Sequence, residues 1–164
     1  MTVLPILIYP DPILEKKAGR IQDPKNPEIR ELIIDMLETM ENSDGLGIAA
    51  PQIGKSLRLC VIKFDGKTYV LINPKFISKS WKKVIAEEGC LSFPGIFIPV
   101  KRSKKVSVSA IDRQGQEVII KAEGMLARVL QHEIDHLDGV PFTKRRAKIK
   151  KITNDKKLIW KKAL

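Results

Sequence analysis

The chain of 164 residues contains 43% hydrophobic and 30% charged residues and carries a net charge of +11. This composition is typical of a globular protein and argues against disorder, collagen-like sequence and a membrane span. The N-terminus is interrupted by prolines and lacks the basic segment of a signal peptide. We therefore expect the protein in the cytoplasm, where cysteines stay reduced. The length of the chain indicates one domain over residues 1–164.

The positive charge is concentrated near the C-terminus. Residues 144–164 hold ten Lys or Arg and one acidic residue, whereas residues 1–143 hold twenty basic and eighteen acidic residues. Such a tail indicates either a polyanionic partner or a solvated, lysine-rich helix. Ile149, Ile152 and Ile159 recur at near-helical spacing, so we predict that 144–164 is a basic C-terminal helical tail.

The first element in chain order is a helix that begins after Asn26, a residue suited to an N-cap, with Pro27 in the first helical position. Apolar residues then recur at helical spacing until a turn sequence at residues 42–45. The following segment, GLGIAAPQIG at 45–54, is too short and too rich in glycine to predict a regular element.

Strands dominate the next part of the chain. Two hairpins are predicted, one through Asp65-Gly66 and the other through a turn that contains Gly115. The β-rich segments are residues 57–64, 68–73, 84–88, 105–112 and 117–123.

A second helix is predicted at residues 124–138, where Asp138-Gly139 ends it. Because strands and helices do not alternate along the chain, the pattern favours an α+β fold. We predict antiparallel β-sheets packed around this central helix, which carries the HExxH sequence, with the tail helix following it.

The HEIDH sequence at 132–136 is the strongest chemical pattern in the chain. His132 and His136, which are the only two histidines, lie one helical turn apart and can bind one metal ion. Glu133 lies beside them, where it can act on a water molecule without being a ligand. The alternative, a helix that happens to carry two histidines, is weakened because both histidines of the chain fall in this one pattern. Met125 and Val129 continue the histidine stripe, so both imidazoles are expected to face inward, where a metal can supply the partner that a buried histidine needs.

A catalytic metal site usually has three protein ligands. No histidine follows His136, so the third ligand is either Cys90 or an acidic residue. Cys90 follows a strand in a loop-like stretch, whereas Cys60 lies in an apolar strand and is expected to be a core residue. We favour Cys90.

GLGIAAPQ at 45–52, EGCLS at 88–92 and HEIDH at 132–136 occur in the order and spacing of the peptide deformylases. The chain resembles a bacterial-type deformylase over at least residues 5–145. The resemblance implies hydrolysis of the N-formyl group of formyl-methionyl nascent peptides, with release of formate. It also implies Fe²⁺ as the native metal, with Zn²⁺, Ni²⁺ or Co²⁺ able to replace it.

The same resemblance assigns roles to individual residues. Cys90, His132 and His136 would bind the metal, and Glu133 would be the acid–base residue. Gln52 and the backbone N–H of Leu91 would stabilise the developing oxyanion. The resemblance places the methionine side chain of the substrate among Leu46, Glu88, Met125, Val129 and His132, although Met125 is equally suited to the core. From their positions in the sequence, Gly47, Gly89 and Arg128 are also expected to bind the substrate.

Two further expectations concern neighbouring features. An extended peptide could add as a strand beside the glycine-containing segments at Gly47 and Gly89, and Arg102 is expected to pair with Asp44 or Glu88. The family acts on nascent chains, which implies that the basic tail contacts the ribosome, through its RNA or its exit-tunnel proteins. No membrane partner is expected.

Three alternatives remain open from the sequence. A zinc endopeptidase also uses HExxH, but the third histidine of one such class is absent. A basic RNA- or ribosome-binding protein with a structural zinc would need a fourth ligand. An inactive relative of the deformylases is disfavoured by the intact motifs.

Overall fold

The computed structural model describes residues 2–147. The predicted tail helix therefore lies almost wholly outside the described residues. Only its first four positions are included, and Phe142–Arg145 form a short 3-10 turn there.

Residues 2–147 form two α-helices and seven β-strands. In chain order these are α1 (Pro27–Asn42), β1 (Gly47–Ala49), β2 (Leu59–Phe64), β3 (Lys67–Lys79), β4 (Lys83–Cys90), β5 (Phe93–Ser103), β6 (Lys105–Ile111), β7 (Glu117–Glu123) and α2 (Gly124–Leu137). Strands β1-β2-β3-β6-β7 form one sheet in that order, and β4 and β5 form a second sheet. Every strand pair is antiparallel, which confirms the predicted α+β class.

Local sequence signals account for the elements that were predicted. Asn26 Oδ1 accepts a hydrogen bond from the Glu28 N–H at 2.8 Å, and this N-cap fixes the start of α1. Asp65 and Gly66 both have positive φ angles, as a two-residue hairpin between β2 and β3 requires. The second predicted hairpin, between β6 and β7, is also present.

Three elements differ from the sequence-based expectation. The segment at 45–54 contains strand β1 and a 3-10 turn, Ala50–Ile53, rather than only loop. Strand β3 continues past Pro74 through an irregular register with β6. Strand β5 was not predicted, because Pro94, Gly95 and Pro99 interrupt its apolar pattern.

Strand β2 of the larger sheet is buried on both faces by the helices. On one face, Cys60 and Ile62 of β2 pack with Leu130 and Ile134 of α2. On the other face, α1 packs against the alternate β2 residues, such as Val61. Burial on both faces explains why β2 is a continuous apolar run. Neither helix within 2–147 has the length and apolar character that crossing a membrane would require.

Helix α2 contacts the second sheet as well. Arg128 Nη2 donates to the Val84 carbonyl of β4 at 2.9 Å, and Arg128 Nη1 donates to the Val100 carbonyl of β5 at 3.0 Å. The helix that carries HEIDH is thus central, as predicted, with a sheet on each side.

Candidate metal centre and substrate cleft

Three side chains whose atoms can bind a metal ion converge where α2 meets the end of β4. Cys90 Sγ lies 3.2 Å from His136 Nε2, which lies 3.2 Å from His132 Nε2. The three donor atoms are all within 4.8 Å of one another. Cys90 is more than forty positions away from either histidine in the sequence. The three side chains meet because β4 ends beside α2.

This donor set fits one divalent ion. Two nitrogens that each lie about 2.0–2.1 Å from a tetrahedral ion are about 3.4 Å apart, close to the spacing of the histidine nitrogens. One thiolate and two imidazoles suit zinc or ferrous iron. Three protein ligands also leave a coordination position for water or substrate, as in catalytic sites.

A buried carboxylate orients the first histidine. His132 Nδ1 lies 3.0 Å from Glu88 Oε2, and because a carboxylate only accepts, the Nδ1–H is the donor. This hydrogen bond leaves Nε2 directed at the other two ligands. Arg102 pairs with both oxygens of Glu88 at 2.9 Å, as one of the sequence alternatives expected, and Arg128 pairs with Oε1 at 2.6 Å.

Electrostatics favours positive charge at this position. Burial opposes ionisation of Glu88, yet hydrogen bonds from His132 and Arg102 lower its pKa to about 2. Burial likewise disfavours a charged His132, but Cys90 and Glu88 raise its pKa to about 10. Burial lowers the pKa of His136 well below its ordinary value. Without a metal ion, His132 therefore keeps a proton. A metal ion that binds this side chain must displace that proton.

Glu133 lies at the base of the site and is almost fully buried. Burial raises its pKa to about 7. Within the described part of the chain, its Oε2 atom has no hydrogen-bond partner. A Cβ atom at position 47 would lie 2.7 Å from Glu133 Oε1, so glycine at this position allows β1 to approach the carboxylate.

Gln52 is held with its amide nitrogen toward the sulfur of Cys90. Its Oε1 accepts from the Ala49 N–H at 2.9 Å, while Nε2 donates to Ser92 Oγ at 3.2 Å and lies 3.7 Å from Cys90 Sγ. The side-chain oxygen is used by the protein backbone, and the NH₂ group is the part that faces the site.

A cleft of about 500 Å³ opens over these residues. All the predicted substrate-binding and oxyanion residues line it, including Leu91 and the buried Glu88. The other lining residues from the prediction are Leu46, Gly47, Gln52, Gly89, Met125, Arg128 and Val129. The Arg128 guanidinium is bonded to the protein, so the rest of the side chain is what the cleft can contact.

Two strand edges border the cleft. In the sheets formed by residues 2–147, β1 is an edge strand, and β4 pairs on one side only, with β5. Gly47 of β1 and Gly89 of β4 both line the cleft. The predicted addition of an extended peptide is therefore compatible with this geometry.

Several residues around the site were not anticipated from the sequence. Ser92 bonds to Gln52, and Asp135 pairs with Arg102 and Arg145. Ile96 and Phe97 border the cleft from the unpredicted strand β5. Asp135 lies inside HEIDH, but no spacing rule indicates its partners, because these come from β5 and from the 3-10 turn that follows α2.

The chain is similar to peptide deformylases both in sequence and in structure. The family model described as Polypeptide deformylase matches residues 3–152. A peptide deformylase of Thermodesulfovibrio yellowstonii is 44% identical over 99% of this chain and 100% of its own length.

Solved structures give matching similarity. The crystal structure of peptide deformylase from Thermotoga maritima matches with a TM-score of 0.87 and 38% identity, over 90% of this chain and 99% of that one. A peptide deformylase from Synechococcus elongatus, in complex with actinonin, matches with a TM-score of 0.86 and 39% identity, over 90% and 80% of the two chains.

Proposed function

The chain belongs to the polypeptide deformylase family, and from that premise we propose how its own residues carry out the family's reaction. It is a metal-dependent hydrolase that removes the N-formyl group of formyl-methionyl nascent peptides. The observation that carries the assignment of residues is the cluster of Cys90, His132 and His136 beside the buried carboxyl of Glu133.

Cys90, His132 and His136 would hold the metal ion. A divalent ion bound there would lower the pKa of water and polarise the formyl oxygen. Glu88 keeps the His132 ring in the orientation that this role requires, because its Oε2 atom accepts from Nδ1.

Glu133 transfers the protons of the reaction. It accepts a proton from the attacking water and then donates one to the departing amine, which would otherwise be a poor leaving group. A carboxyl whose pKa is raised to about 7 by burial can both accept and return a proton near neutral pH. Among the residues described, its buried Oε2 atom has no hydrogen-bond partner.

Gln52 and the backbone N–H of Leu91 stabilise the oxyanion. The Gln52 amide is fixed in advance by the bonds to Ala49 and Ser92, so its NH₂ group needs no reorganisation during the reaction. One preorganised donor of this kind is worth about 3 kcal/mol in the transition state.

The substrate lies between the edges of β1 and β4. Its backbone pairs near Gly47 and Gly89, and its methionine side chain enters the apolar part of the cleft near Leu46, Met125 and Val129. Pairing through the backbone explains acceptance of many sequences after methionine, whereas an apolar pocket gives graded preference, about 1–3 kcal/mol per methylene.

The working metal is Fe²⁺, which Zn²⁺, Ni²⁺ or Co²⁺ can replace. The donor set accepts either iron or zinc, so the choice of iron rests on the family resemblance of the motifs. The enzyme acts in the cytoplasm and contacts the ribosome through residues 144–164, whose net charge suits ribosomal RNA.

One experiment separates this function from the alternatives. Anaerobically purified protein is analysed for metal and assayed for formate release from a formyl-methionyl tripeptide, with the acetylated tripeptide and casein as controls. We expect about one iron per chain and activity on the formylated peptide alone. Cleavage of casein would support an endopeptidase, and a folded, metal-loaded protein inactive on all three would support the non-enzymatic alternative.

A further inference from the structure

A buried carboxylate on α2, outside the metal ligands, is shared by two arginines. Asp135 Oδ1 accepts from Arg145 Nη2 at 2.9 Å, and Oδ2 accepts from Arg145 Nε at 3.2 Å. The same Oδ2 atom also accepts from Arg102 Nη1. Arg145 is about half exposed, whereas Asp135 and Arg102 are almost fully buried.

These contacts continue to the metal centre. The other two donors of Arg102, Nε and Nη2, each bond one oxygen of Glu88 at 2.9 Å. Glu88 Oε2 then accepts from His132 Nδ1 at 3.0 Å. An unbroken chain of charged contacts therefore joins a surface arginine after α2 to a metal-binding histidine.

We propose that Arg145 is a positioning residue for His132, acting through Asp135, Arg102 and Glu88. The proposal rests on the metal site of the proposed function. Its physical basis is the sharing of one carboxylate between two guanidinium groups. Arg145 satisfies both oxygens of Asp135, so Arg102 needs only one donor there and keeps two for Glu88.

Loss of Arg145 leaves Asp135 without the guanidinium group that bonds both of its oxygens. Arg102 would remain as the ion-pair partner of Asp135 among the described residues, and a buried carboxylate needs such a partner. Arg102 would shift toward Asp135 and loosen its two-point contact with Glu88. Glu88 would then fix the His132 ring less well, and metal affinity would fall, as it does when outer partners of a ligand are removed.

The test uses the full chain, stripped of metal and titrated with Co²⁺ alone in competition with a chelator. Affinity and the visible absorption spectrum of the Co²⁺ form are both measured. For Arg145→Met we expect an affinity loss of up to about 10-fold, at the lower end for outer partners, and a shifted Co²⁺ spectrum. Arg145→Lys, which keeps the charge but not the two-point contact, should lie between this variant and the wild type.

Lys144→Met is the matched control. Lys144 belongs to the same 3-10 turn and pairs with Glu15 at 2.9 Å, a contact that does not lead to Glu88. Wild-type affinity and spectrum are expected for this variant, and thermal melting verifies that each variant is folded. An equal loss in Lys144→Met would overturn the proposal, because docking of the turn would then be the cause.

A double-mutant cycle tests the route of the effect. If Arg145 acts through Asp135, Arg145→Met should add little to the loss caused by Asp135→Asn, and fully additive losses would contradict the proposal. Wild-type affinity and spectrum in folded Arg145→Met would also overturn it while leaving the metal site intact. Failure of the wild-type chain itself to bind Co²⁺ would instead refute the metal site, and the Arg145 proposal with it.

Discussion

At the scale of single residues, Gly47 determines how closely β1 approaches the carboxyl of Glu133, the proposed acid–base residue. A methyl group there would lie 2.7 Å from Glu133 Oε1, so the Gly47→Ala variant must displace either β1 or the carboxylate. We expect kcat for formate release to fall by at least about 10-fold, since small displacements of catalytic groups cost up to about 10²-fold.

Gly19→Ala is the control for this variant, because a Cβ there would meet only the Ser56 carbonyl, at 3.3 Å. It should keep near-normal kcat. Normal kcat in Gly47→Ala would show that the close approach to Glu133 has no part in the chemistry.

The two cysteines should respond differently to replacement by serine. Cys90→Ser should lose metal, because the thiolate is one of three converging donors. Cys60 is fully buried in the core, and burial raises the pKa of its thiol, so it stays protonated there. Cys60→Ser should keep its metal and lose stability, by about 1–3 kcal/mol if the hydroxyl finds no partner.

Elemental analysis and thermal melting of the two serine variants measure these effects. Loss of metal from the Cys60 variant alone would mean that the wrong cysteine has been assigned to the site.

At the scale of elements, the edge position of β1 makes substrate pairing testable. If the peptide backbone adds to this edge, methylating the amide nitrogen that donates to β1 removes one hydrogen bond, worth about 0.5–1.5 kcal/mol. We expect KM for such a formyl-methionyl peptide to rise about 2- to 10-fold. Methylation of each successive amide locates the pairing positions, and a KM unchanged at all of them would contradict strand addition.

The elements that sequence predicted well are those whose signals are local. An N-cap, a proline and helical periodicity define α1, and a two-residue turn defines the hairpin of β2 and β3. Strand β5 has no such signal, because its prolines and glycine resemble a loop. It forms because β4 pairs with it along most of its length, which is a tertiary interaction.

The candidate site divides in the same way. HEIDH could be recognised in the sequence, because a helical turn fixes the spacing of His132 and His136. The motifs at 45–52 and 88–92 could be recognised because their order and spacing resemble those of a known family. The pairing of Arg102 with Glu88 was among the expected alternatives, but the contacts of Asp135 with Arg102 and Arg145 were not, since these three residues lie on three different elements. Their contacts arise only when β5, α2 and the last 3-10 turn pack together.

At the scale of the whole molecule, the charge distribution separates the proposed chemistry from the proposed ribosome contact. Apart from Arg145, the positioning residue proposed above, all the assigned site residues precede residue 144, whereas the tail from 144 to 164 carries a net charge of +9. The Ala147 N–H donates to the Pro99 carbonyl at 2.8 Å, which attaches the start of the tail to β5. A truncation after Ala147 would keep this attachment.

We expect the chain truncated after Ala147 to retain hydrolysis of a short formyl-peptide and to lose ribosome co-sedimentation. For the full chain, co-sedimentation should fall steeply with salt, because basic residues that bind phosphates release counterions. Undiminished co-sedimentation of the folded, truncated chain would refute the ribosome contact. A large fall in melting temperature with loss of peptide hydrolysis would instead show that the tail stabilises the fold.

The central claim is that a metal held by Cys90, His132 and His136 works together with Glu133 to remove formyl groups. Its most direct test is formate release by the Glu133→Gln variant at measured metal content, because this substitution preserves size but removes the proton carrier. We predict full metal occupancy and a fall in kcat of at least about 10²-fold, the lower range for general acid–base catalysis. Near-normal turnover by metal-loaded Glu133→Gln protein would contradict the account.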